Sequence, residues 1–218
     1  MIDLVALDKI KNQVASTGRD IILVAATKTQ SKCVIDEFMR IAPYFVLGEN
    51  RVQELVDKYD SAYRWHFIGR LQRNKVKYII DKVELIHSLD RIELADEIEK
   101  QATKCEKVQS CLVEINIGGE ESKGGIPPEN AVEFIRSLKN YTHIKIEGLM
   151  SVLPNVNTSE LETLYDKLDN LFDLVKKIQQ PNVEIKYLSA GMSGDYEVAL
   201  CHKSNVLRLG KVIFGERK

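Results

Sequence analysis

Short apolar runs rich in β-branched residues recur along the chain, and longer segments of helical period separate them. These runs have the length of ordinary strands, and their nearly continuous apolar character indicates a sheet that is buried on both faces. We predict eight strands, which cover residues 21–27, 44–48, 64–69, 83–89, 111–118, 144–150, 183–189 and 205–210.

Amphipathic segments fill the intervals between the predicted strands. The clearest covers residues 158–180, in which the apolar residues from Leu161 to Ile178 recur on one helical face. A second helical pattern covers residues 89–104. The first residues of the chain carry charges among their apolar positions, which predicts a helix over residues 1–18 and not a signal peptide.

Strict alternation of strand and helix favours parallel pairing, because parallel neighbours need a crossover connection. Eight such units in 218 residues predict one α/β domain over residues 1–218, a (β/α)8 TIM barrel formed by residues 21–218. An open doubly wound sheet is the main alternative. Its hallmark would be a GxGxxG turn after the first strand, where this chain has TKTQS.

Composition and charge narrow the functional classes. Hydrophobic residues make up 44% of the chain and charged residues 29%, as in soluble globular proteins. The net charge of −1 gives no global attraction to nucleic acid, and no apolar run is long enough for a membrane span. The four cysteines form no CxxC pair, so we expect reduced thiols in the cytoplasm. The four histidines are scattered, and we expect no metal site.

Polar and glycine residues gather where the predicted strands end, which is the face where barrel enzymes place their sites. Lys28 follows a wholly apolar strand. Its amine would lie near a low-dielectric barrel mouth, where a lysine can act in imine chemistry. The alternative is a lysine that simply extends to solvent from a strand end.

The segments after strands 7 and 8 are candidates for an anion site. In residues 189–195, SAGMSGD, small residues would let backbone N–H groups converge on an anion. Ser193 is predicted to cap the following helix, with Asp195 in its first turn. Gly210 and Lys211 begin the neighbouring loop, and barrels often bind phosphate between these two loops. Ordinary turn geometry is the alternative explanation for the glycines.

Two further polar residues need partners. Arg208 lies between two leucines in the last strand, so a buried guanidinium must meet either a carboxylate, such as Glu114 or Glu147, or a ring nitrogen or carboxylate of a ligand. Asn50 could begin a capping box with Gln53, and the same side chain could also face a ligand.

Seven ordered motifs resemble those of the pyridoxal-phosphate homeostasis protein family. They are LVAATKTQ around Lys28, GENRVQE at 48–54, HFIGRLQRNK at 66–75, NIGGEESKGG at 116–125, EGLMSVLP at 147–154, LSAGMSGDYEVAL at 188–200 and LRLGKVIFGER at 207–217. The resemblance implies a barrel similar to the N-terminal domain of alanine racemase and pyridoxal 5′-phosphate (PLP) bound as a Schiff base on Lys28. It also implies a set of further cofactor-binding residues: Asn50, Ser189, Gly191, Met192, Ser193, Arg208, Gly210 and Lys211.

The same resemblance assigns roles within that set. It places the phosphate among Ser189, the Gly191–Ser193 loop and the backbone from Gly210, and it places Arg208 at the pyridine nitrogen. Two positions depart from the family pattern. Lys211 stands where similar sequences have Ser or Thr, and Ala190 stands where they have Met, which we expect to leave room beside the cofactor.

These features favour a carrier over an enzyme. An arginine at the pyridine nitrogen would weaken the electron sink that PLP catalysis uses, and the chain ends eight residues after the last predicted strand, which leaves no segment for a racemase's second domain. We therefore expect a cytoplasmic PLP-homeostasis protein with no catalytic residues, acting as a monomer or weak dimer, with PLP-dependent apoenzymes as candidate recipients. A weak racemase or transferase is the alternative, and a sugar-phosphate aldolase is a third.

Overall fold

Eight parallel strands close into a barrel in which each strand pairs with the next along the chain and β8 pairs with β1. The structure is a computed structural model that describes residues 2–120 and 124–216. It confirms the predicted barrel. The strands are β1 (Ile22–Ala26), β2 (Val46–Glu49), β3 (Trp65–Phe67), β4 (Leu85–Leu89), β5 (Gln109–Ile115), β6 (Ile144–Ser151), β7 (Val183–Met192) and β8 (Val206–Leu209).

Helices connect the strands and cover the outside of the barrel. They are α1 (Leu4–Ser16), α2 (Lys32–Ile41), α3 (Val52–Lys58), α4 (Ile92–Lys104), α5 (Ala131–Ser137), α6 (Thr158–Val175), α7 (Tyr196–Cys201) and α8 (Lys211–Phe214), with 3₁₀ turns at Arg73–Tyr78, Pro128–Asn130 and Leu138–Asn140. Within the described ranges, no helix is both long and apolar enough to cross a bilayer.

The N-terminal helix is present as predicted, and its start is fixed by a cap. The Asp3 side chain accepts a hydrogen bond from the backbone N–H of Ala6 (2.9 Å), which satisfies a free donor in the first turn. The backbone N–H of Asp3 donates to the carbonyl of Ile213 (2.9 Å), so the start of the chain is attached to α8 beside the last strand.

Two predicted helices are shorter than their sequence patterns. The helix predicted over residues 158–180 ends at Val175, and Ile178 packs against the core from beyond its end. The helix predicted over residues 89–104 begins at Ile92, because Leu89 completes β4. In both segments the apolar periodicity therefore extends beyond the residues that form the helix.

Strand side chains alternate between the lumen of the barrel and the layer beneath the helices, which explains why whole strands are apolar. The outer layer belongs to the main core and takes strand residues such as Leu23, Ala25, Leu47, Leu207 and Leu209. The lumen holds two smaller clusters, Val24, Val46, Ile68 and Val206 in one and Leu85, Leu112 and Met150 in the other.

β7 is three residues longer than predicted. It continues through residues 190–192, which were predicted to form a loop, so that prediction was wrong. Ser189 pairs with Val206 and Met192 pairs with Arg208, so β7 contains one more residue than β8 between the two pairs. This extra residue is a β-bulge, a local bend that lets a strand continue past an irregular sequence.

Gly191 sits within this bulge and is required there for two physical reasons. Its φ of +97° is a conformation that side chains with a Cβ rarely adopt. A Cβ at this position would also lie 2.6 Å from Cβ of Ala199 and 2.8 Å from a methyl of Leu207. Packing against α7 and β8 therefore explains this glycine without reference to an anion.

Candidate functional site

The turn after β1 carries Lys28 at the carboxyl face of the barrel, as predicted. Lys28 is half-buried and lines a pocket together with Ala26, Gly210 and Lys211. The next residue, Thr29, has a φ of +67°, which is unfavourable for a β-branched side chain. The structure thus brings the lysine and the start of the loop after β8 into one pocket, on a backbone held in a strained conformation.

A buried ionic cluster holds this turn in place. Glu49 is fully buried and accepts hydrogen bonds from the Thr27 hydroxyl (2.8 Å) and from Nζ of Lys58 (2.8 Å). The same ammonium donates to the Thr27 carbonyl (3.0 Å) and to Glu54 (2.8 Å). Glu54 in turn accepts from the backbone N–H of Thr29 (2.7 Å). The cluster therefore contacts the backbone on both sides of Lys28.

Ser193 connects the segments after β7 and β8. Its Oγ accepts hydrogen bonds from the backbone N–H groups of Gly210 (3.3 Å) and Val212 (3.1 Å), at the start of α8. The prediction that Ser193 caps α7 was wrong, because Asp195 is the N-cap residue of that helix. Asp195 therefore precedes the first turn in which we expected it, and its carboxylate accepts from the backbone N–H of Met192 (2.6 Å).

The donors at the start of α8 fit an anionic group. Two backbone N–H groups converge on one oxygen, here that of Ser193, and a phosphate oxygen is the same kind of acceptor. Lys211 adds an exposed ammonium that pairs with Glu216. A Cβ on Gly210 would lie 3.2 Å from Cβ of Ala26, so a glycine keeps the strand ends close beside the pocket.

Asn50 does not act as a helix cap. The N-cap residue of α3 is Arg51, which makes no side-chain capping bond, so the capping box predicted for Asn50 and Gln53 was wrong. The backbone N–H of Asn50 donates to Glu49 (3.1 Å), but its side-chain Oδ1 is buried without a hydrogen-bond partner in residues 2–120 and 124–216. A buried acceptor of this kind fits a role in contacting a ligand donor.

Arg208 is 5% exposed, and its hydrogen-bond partners in residues 2–120 and 124–216 are neutral groups. One terminal nitrogen donates to the Ser189 carbonyl (2.7 Å) and hydroxyl (2.6 Å), and the other donates to the Ser151 carbonyl (2.8 Å). Neither carboxylate that was considered as a partner pairs with Arg208 in the described residues. Glu147 pairs with lysines, and Glu114 makes no ion pair with Arg208. Burial lowers the pKa of the Arg208 guanidinium from its ordinary value.

Two buried histidines near Arg208 were not predicted to belong to the site. Nδ1 of His87 lies 3.0 Å from Oγ of Ser189, and its Nε2 lies 3.1 Å from Nδ1 of His66. Burial lowers the pKa of His66 to about 3 and also lowers that of His87, which keeps both rings neutral. A usable signal existed, because each of these polar residues interrupts an otherwise apolar strand.

Glu114 was missed as an ionisable group of the barrel mouth. Burial, followed by the neighbouring charge of Asp90, raises the pKa of this carboxyl to about 7, while Arg208, Arg70 and Arg91 act in the opposite direction. Its proton is therefore exchangeable near neutral pH. From the sequence, Glu114 was predicted only as a possible ion-pair partner of Arg208.

A basic cleft adjoins the ends of β2, β3 and β4. Its charged lining residues are all cations, and its polar lining residues are amides; the set is Asn50, Arg51, Gln53, Arg70, Gln72, Lys75 and Arg91. Within the described ranges no carboxylate lines this cleft, although Arg91 pairs with Asp90 at its edge. The mouth of the barrel is consequently positive on this side.

Comparison with known proteins identifies the family. The family described as alanine racemase, N-terminal domain, matches residues 5–218. A pyridoxal phosphate homeostasis protein of Aquifex aeolicus is 46% identical over 201 residues, which cover 90% of this chain and 87% of that protein. The chain belongs to the pyridoxal phosphate homeostasis protein family. A second member, from Haemophilus influenzae, is 35% identical over 202 residues, which cover 89% of this chain and 84% of that protein.

Solved structures agree with this membership. PipY of Synechococcus elongatus PCC7942, solved with PLP bound, has a TM-score of 0.81 at 26% identity, and the match covers 96% of this chain and 98% of PipY. Alanine racemase of Clostridium difficile 630 has a TM-score of 0.76 at 16% identity, covering 99% of this chain and 57% of the racemase. The second likeness shows the shared fold alone.

In this member of the pyridoxal phosphate homeostasis protein family, the residues predicted for the site fall into two groups. Lys28, Gly210 and Lys211 line one pocket, and Ser193 reaches its edge through the bonds to the start of α8. Ser189 instead lies fully buried inside the barrel, on Arg208. Gly191 lies in the β7 bulge and Met192 at its end.

One of the two departures from the family pattern lies away from this pocket. Ala190 is fully buried and belongs to the main hydrophobic core. The expectation that Ala190 leaves room beside a cofactor stays a prediction.

Proposed function

We propose that this protein binds PLP as a Schiff base on Lys28 and serves in cytoplasmic PLP homeostasis as a carrier. The observation that carries the proposal is the pocket in which the half-buried Lys28 faces the start of α8, where two backbone N–H groups converge on one oxygen. Family membership and a neighbour solved with PLP support the same ligand.

The residues present fit the parts of this cofactor. Ser193, the backbone at Gly210 and Val212, and Lys211 would hold the phosphate, because they offer hydrogen bonds and positive charge. Arg208 would donate to the ring nitrogen. We further place Asn50, whose buried Oδ1 needs a donor, at the cofactor, with Ser189, Gly191 and Met192 as the supporting wall.

The protein's own residues argue against efficient turnover. PLP, when bound, supplies an aldehyde that condenses with amines and a ring that withdraws electrons. Arg208 can only donate hydrogen bonds, so a ring nitrogen facing it would stay unprotonated and withdraw electrons weakly. We therefore assign no catalytic residue, propose PLP-dependent apoenzymes as recipients, and keep a monomer or weak dimer as the predicted assembly.

A weak racemase or transferase activity is the second candidate, and one observation favours it. Glu114, with a pKa of about 7, could accept and release a proton at the barrel mouth near neutral pH. Incubation of the PLP-loaded protein with L-alanine, followed by chiral chromatography, tests this candidate. Appearance of D-alanine that is lost on substitution Glu114→Gln would support it.

Substitution of Lys28 tests the leading proposal. Protein mixed with PLP, reduced with borohydride and digested should carry the pyridoxyl mass on the peptide that contains Lys28. Lys28→Ala should abolish this label while changing the free energy of unfolding by less than about 1 kcal/mol, because the lysine is half-buried at the edge of the core.

Lys211→Ala is the matched control, since it removes the other lysine of the same pocket. This variant should keep the label, with weaker PLP binding. A label on Lys211, or an unchanged yield of label in Lys28→Ala, would contradict the assignment of Lys28.

A further inference from the structure

A line of hydrogen bonds crosses the lumen of the barrel from β3 to β8. His66 contacts His87 (Nδ1 to Nε2, 3.1 Å), His87 contacts Ser189 (Nδ1 to Oγ, 3.0 Å), and Arg208 donates to the same hydroxyl (2.6 Å). These four side chains come from four strands, and none is more than 5% exposed. We call them the lumen relay.

The chemistry of the groups sets the direction of the relay. A guanidinium can only donate hydrogen bonds, so Oγ of Ser189 must accept from Arg208. The serine proton then needs its own acceptor, and in residues 2–120 and 124–216 the other side-chain contact of this hydroxyl is Nδ1 of His87. His87 Nδ1 is therefore the unprotonated nitrogen of the ring.

The same donor and acceptor pattern extends to the ring of His66. With Nδ1 as acceptor, a neutral His87 carries its proton on Nε2 and donates it to Nδ1 of His66. The reverse direction would leave Oγ of Ser189 with two donors and its own proton buried without an acceptor, which is unfavourable. Burial also keeps both rings neutral, as this arrangement requires.

We propose that His87 is a positioning residue for Arg208, acting through Ser189. The relay fixes one edge of the guanidinium on Ser189, while the Ser151 carbonyl takes a donor from the second terminal nitrogen. Two of the five N–H groups of Arg208 then have no hydrogen-bond partner among the described residues. Their use by the PLP ring rests on the proposed function.

A buried guanidinium without this support would have other orientations open to it. Without the relay, Arg208 would be held only by the backbone carbonyls of Ser189 and Ser151. With the relay, His87 orients the Ser189 hydroxyl so that the lone pairs of Oγ face Arg208. The relay thus converts a rotatable hydroxyl into a fixed acceptor, which pre-organises the arginine before a ligand binds.

The first test measures the protonation state and tautomer of the two histidines in the absence of any cofactor. Two-bond ¹H–¹⁵N correlation spectra of the cofactor-free protein should show His66 and His87 as neutral rings protonated at Nε2 from about pH 5.5 to 8.5. A proton on Nδ1 of His87, or a positively charged ring in this range, would overturn the proposal whether or not the protein binds PLP.

The second test uses two substitutions that separate the two ring nitrogens. An asparagine side chain can place an acceptor near the position of Nδ1, whereas leucine of similar bulk has none. His87→Asn should bind PLP within about threefold of the wild-type dissociation constant, and His87→Leu should bind about tenfold more weakly, the effect of losing one hydrogen-bonded support. The absorbance maximum of bound PLP should shift in the leucine variant only.

Ser189→Ala provides the smaller perturbation if the leucine variant does not fold. It should weaken PLP binding about as much as His87→Leu, and the double variant should lose no more than either single one, because both act through the same hydroxyl. In Ser189→Ala the His87 ring should also lose its fixed tautomer. A folded Ser189→Ala protein with wild-type PLP affinity and spectrum would overturn the positioning role. A wild-type protein that binds no PLP would contradict the proposed function, but it would not affect the tautomer test.

Discussion

Glu114 is a side chain at the barrel mouth whose charge changes with pH near neutrality. It lies on β5, where burial first and the charge of Asp90 second raise its pKa to about 7, against partial relief from Arg208, Arg70 and Arg91. The unfolded chain would bind this proton with an ordinary carboxyl pKa of about 4.5. The folded state therefore holds the proton more tightly than the unfolded state does.

Substitution of this residue should change how stability depends on pH. Because the folded pKa is raised, the contribution of Glu114 is fully present below about pH 4.5 and is lost as the pH rises through about 7, a difference of about 3 kcal/mol. Glu114→Gln, which retains a neutral side chain, should flatten this loss. Urea unfolding between about pH 5 and 8 measures it. The exposed Glu162→Gln on α6 is the control and should keep the wild-type slope; an equal slope in Glu114→Gln would contradict the raised pKa.

At the scale of elements, β2 and α3 are joined to the turn after β1 by the cluster of Glu49, Glu54 and Lys58. The ammonium of Lys58 contacts both carboxylates, and these contact Thr27 and the backbone of Thr29. A charged pair this deeply buried is costly to break, since the partner left behind is a desolvated charge. The cluster therefore makes the position of α3 and the turn that carries Lys28 interdependent.

Removal of the cation should expose this dependence. Lys58→Met should lower the free energy of unfolding by about 3–5 kcal/mol, because it leaves the fully buried Glu49 without its counter-charge. Glu49→Gln added to Lys58→Met should restore part of the loss. Urea unfolding measures both. The exposed Lys32→Met, which removes an ion pair with Asp60, should change stability far less. A loss in Lys58→Met no larger than that of the control would show that the cluster is not a determinant of stability.

How far the elements could be predicted depended on how local their causes are. The eight strands followed from apolar runs, since a strand buried on both faces must be apolar along its whole length. The predicted β7 was too short because Gly191 and its small neighbours are typical of a loop. In the structure, a bulge that packs on Ala199 continues the strand. The sequence does not show which helix will press on a glycine.

The positions of candidate site residues could be predicted where ordered motifs mark them. Hydrogen-bond partners that come from distant strands could not be predicted. Lys28 and the α8 start followed from strand ends and from ordered motifs. Ser193 was predicted to cap the helix that follows it, yet the backbone N–H that it contacts lies beyond both α7 and β8, at Gly210. For Arg208 the sequence left two partners open, a carboxylate of the protein or a group of a ligand. The strand carbonyls of the barrel supply acceptors that no sequence pattern displays.

At the scale of the whole molecule, charge is unevenly distributed although the net charge is only −1. The basic cleft beside the barrel mouth gathers Arg51, Arg70, Lys75 and Arg91, and its lining contains no carboxylate among the described residues. A local positive field at the mouth attracts small anions and raises their association rate, an effect that salt screens. The phosphate of PLP is such an anion, so the cleft should affect how fast the proposed cofactor arrives more than how long it stays.

Neutralisation of the cleft should therefore slow PLP association. The double variant Arg70→Gln, Lys75→Gln should reduce the association rate constant about three- to tenfold at low ionic strength, with little change in the dissociation rate, and the difference should shrink toward physiological salt. Stopped-flow absorbance at several salt concentrations measures both rates. Lys104→Gln with Lys139→Gln makes the same change in net charge on exposed residues near the ends of α4 and α5, which lie toward the opposite face of the barrel, and should leave the rate close to wild type. Equal slowing in both double variants would assign the effect to net charge, and no slowing in the first would exclude a role for the cleft in capturing the cofactor.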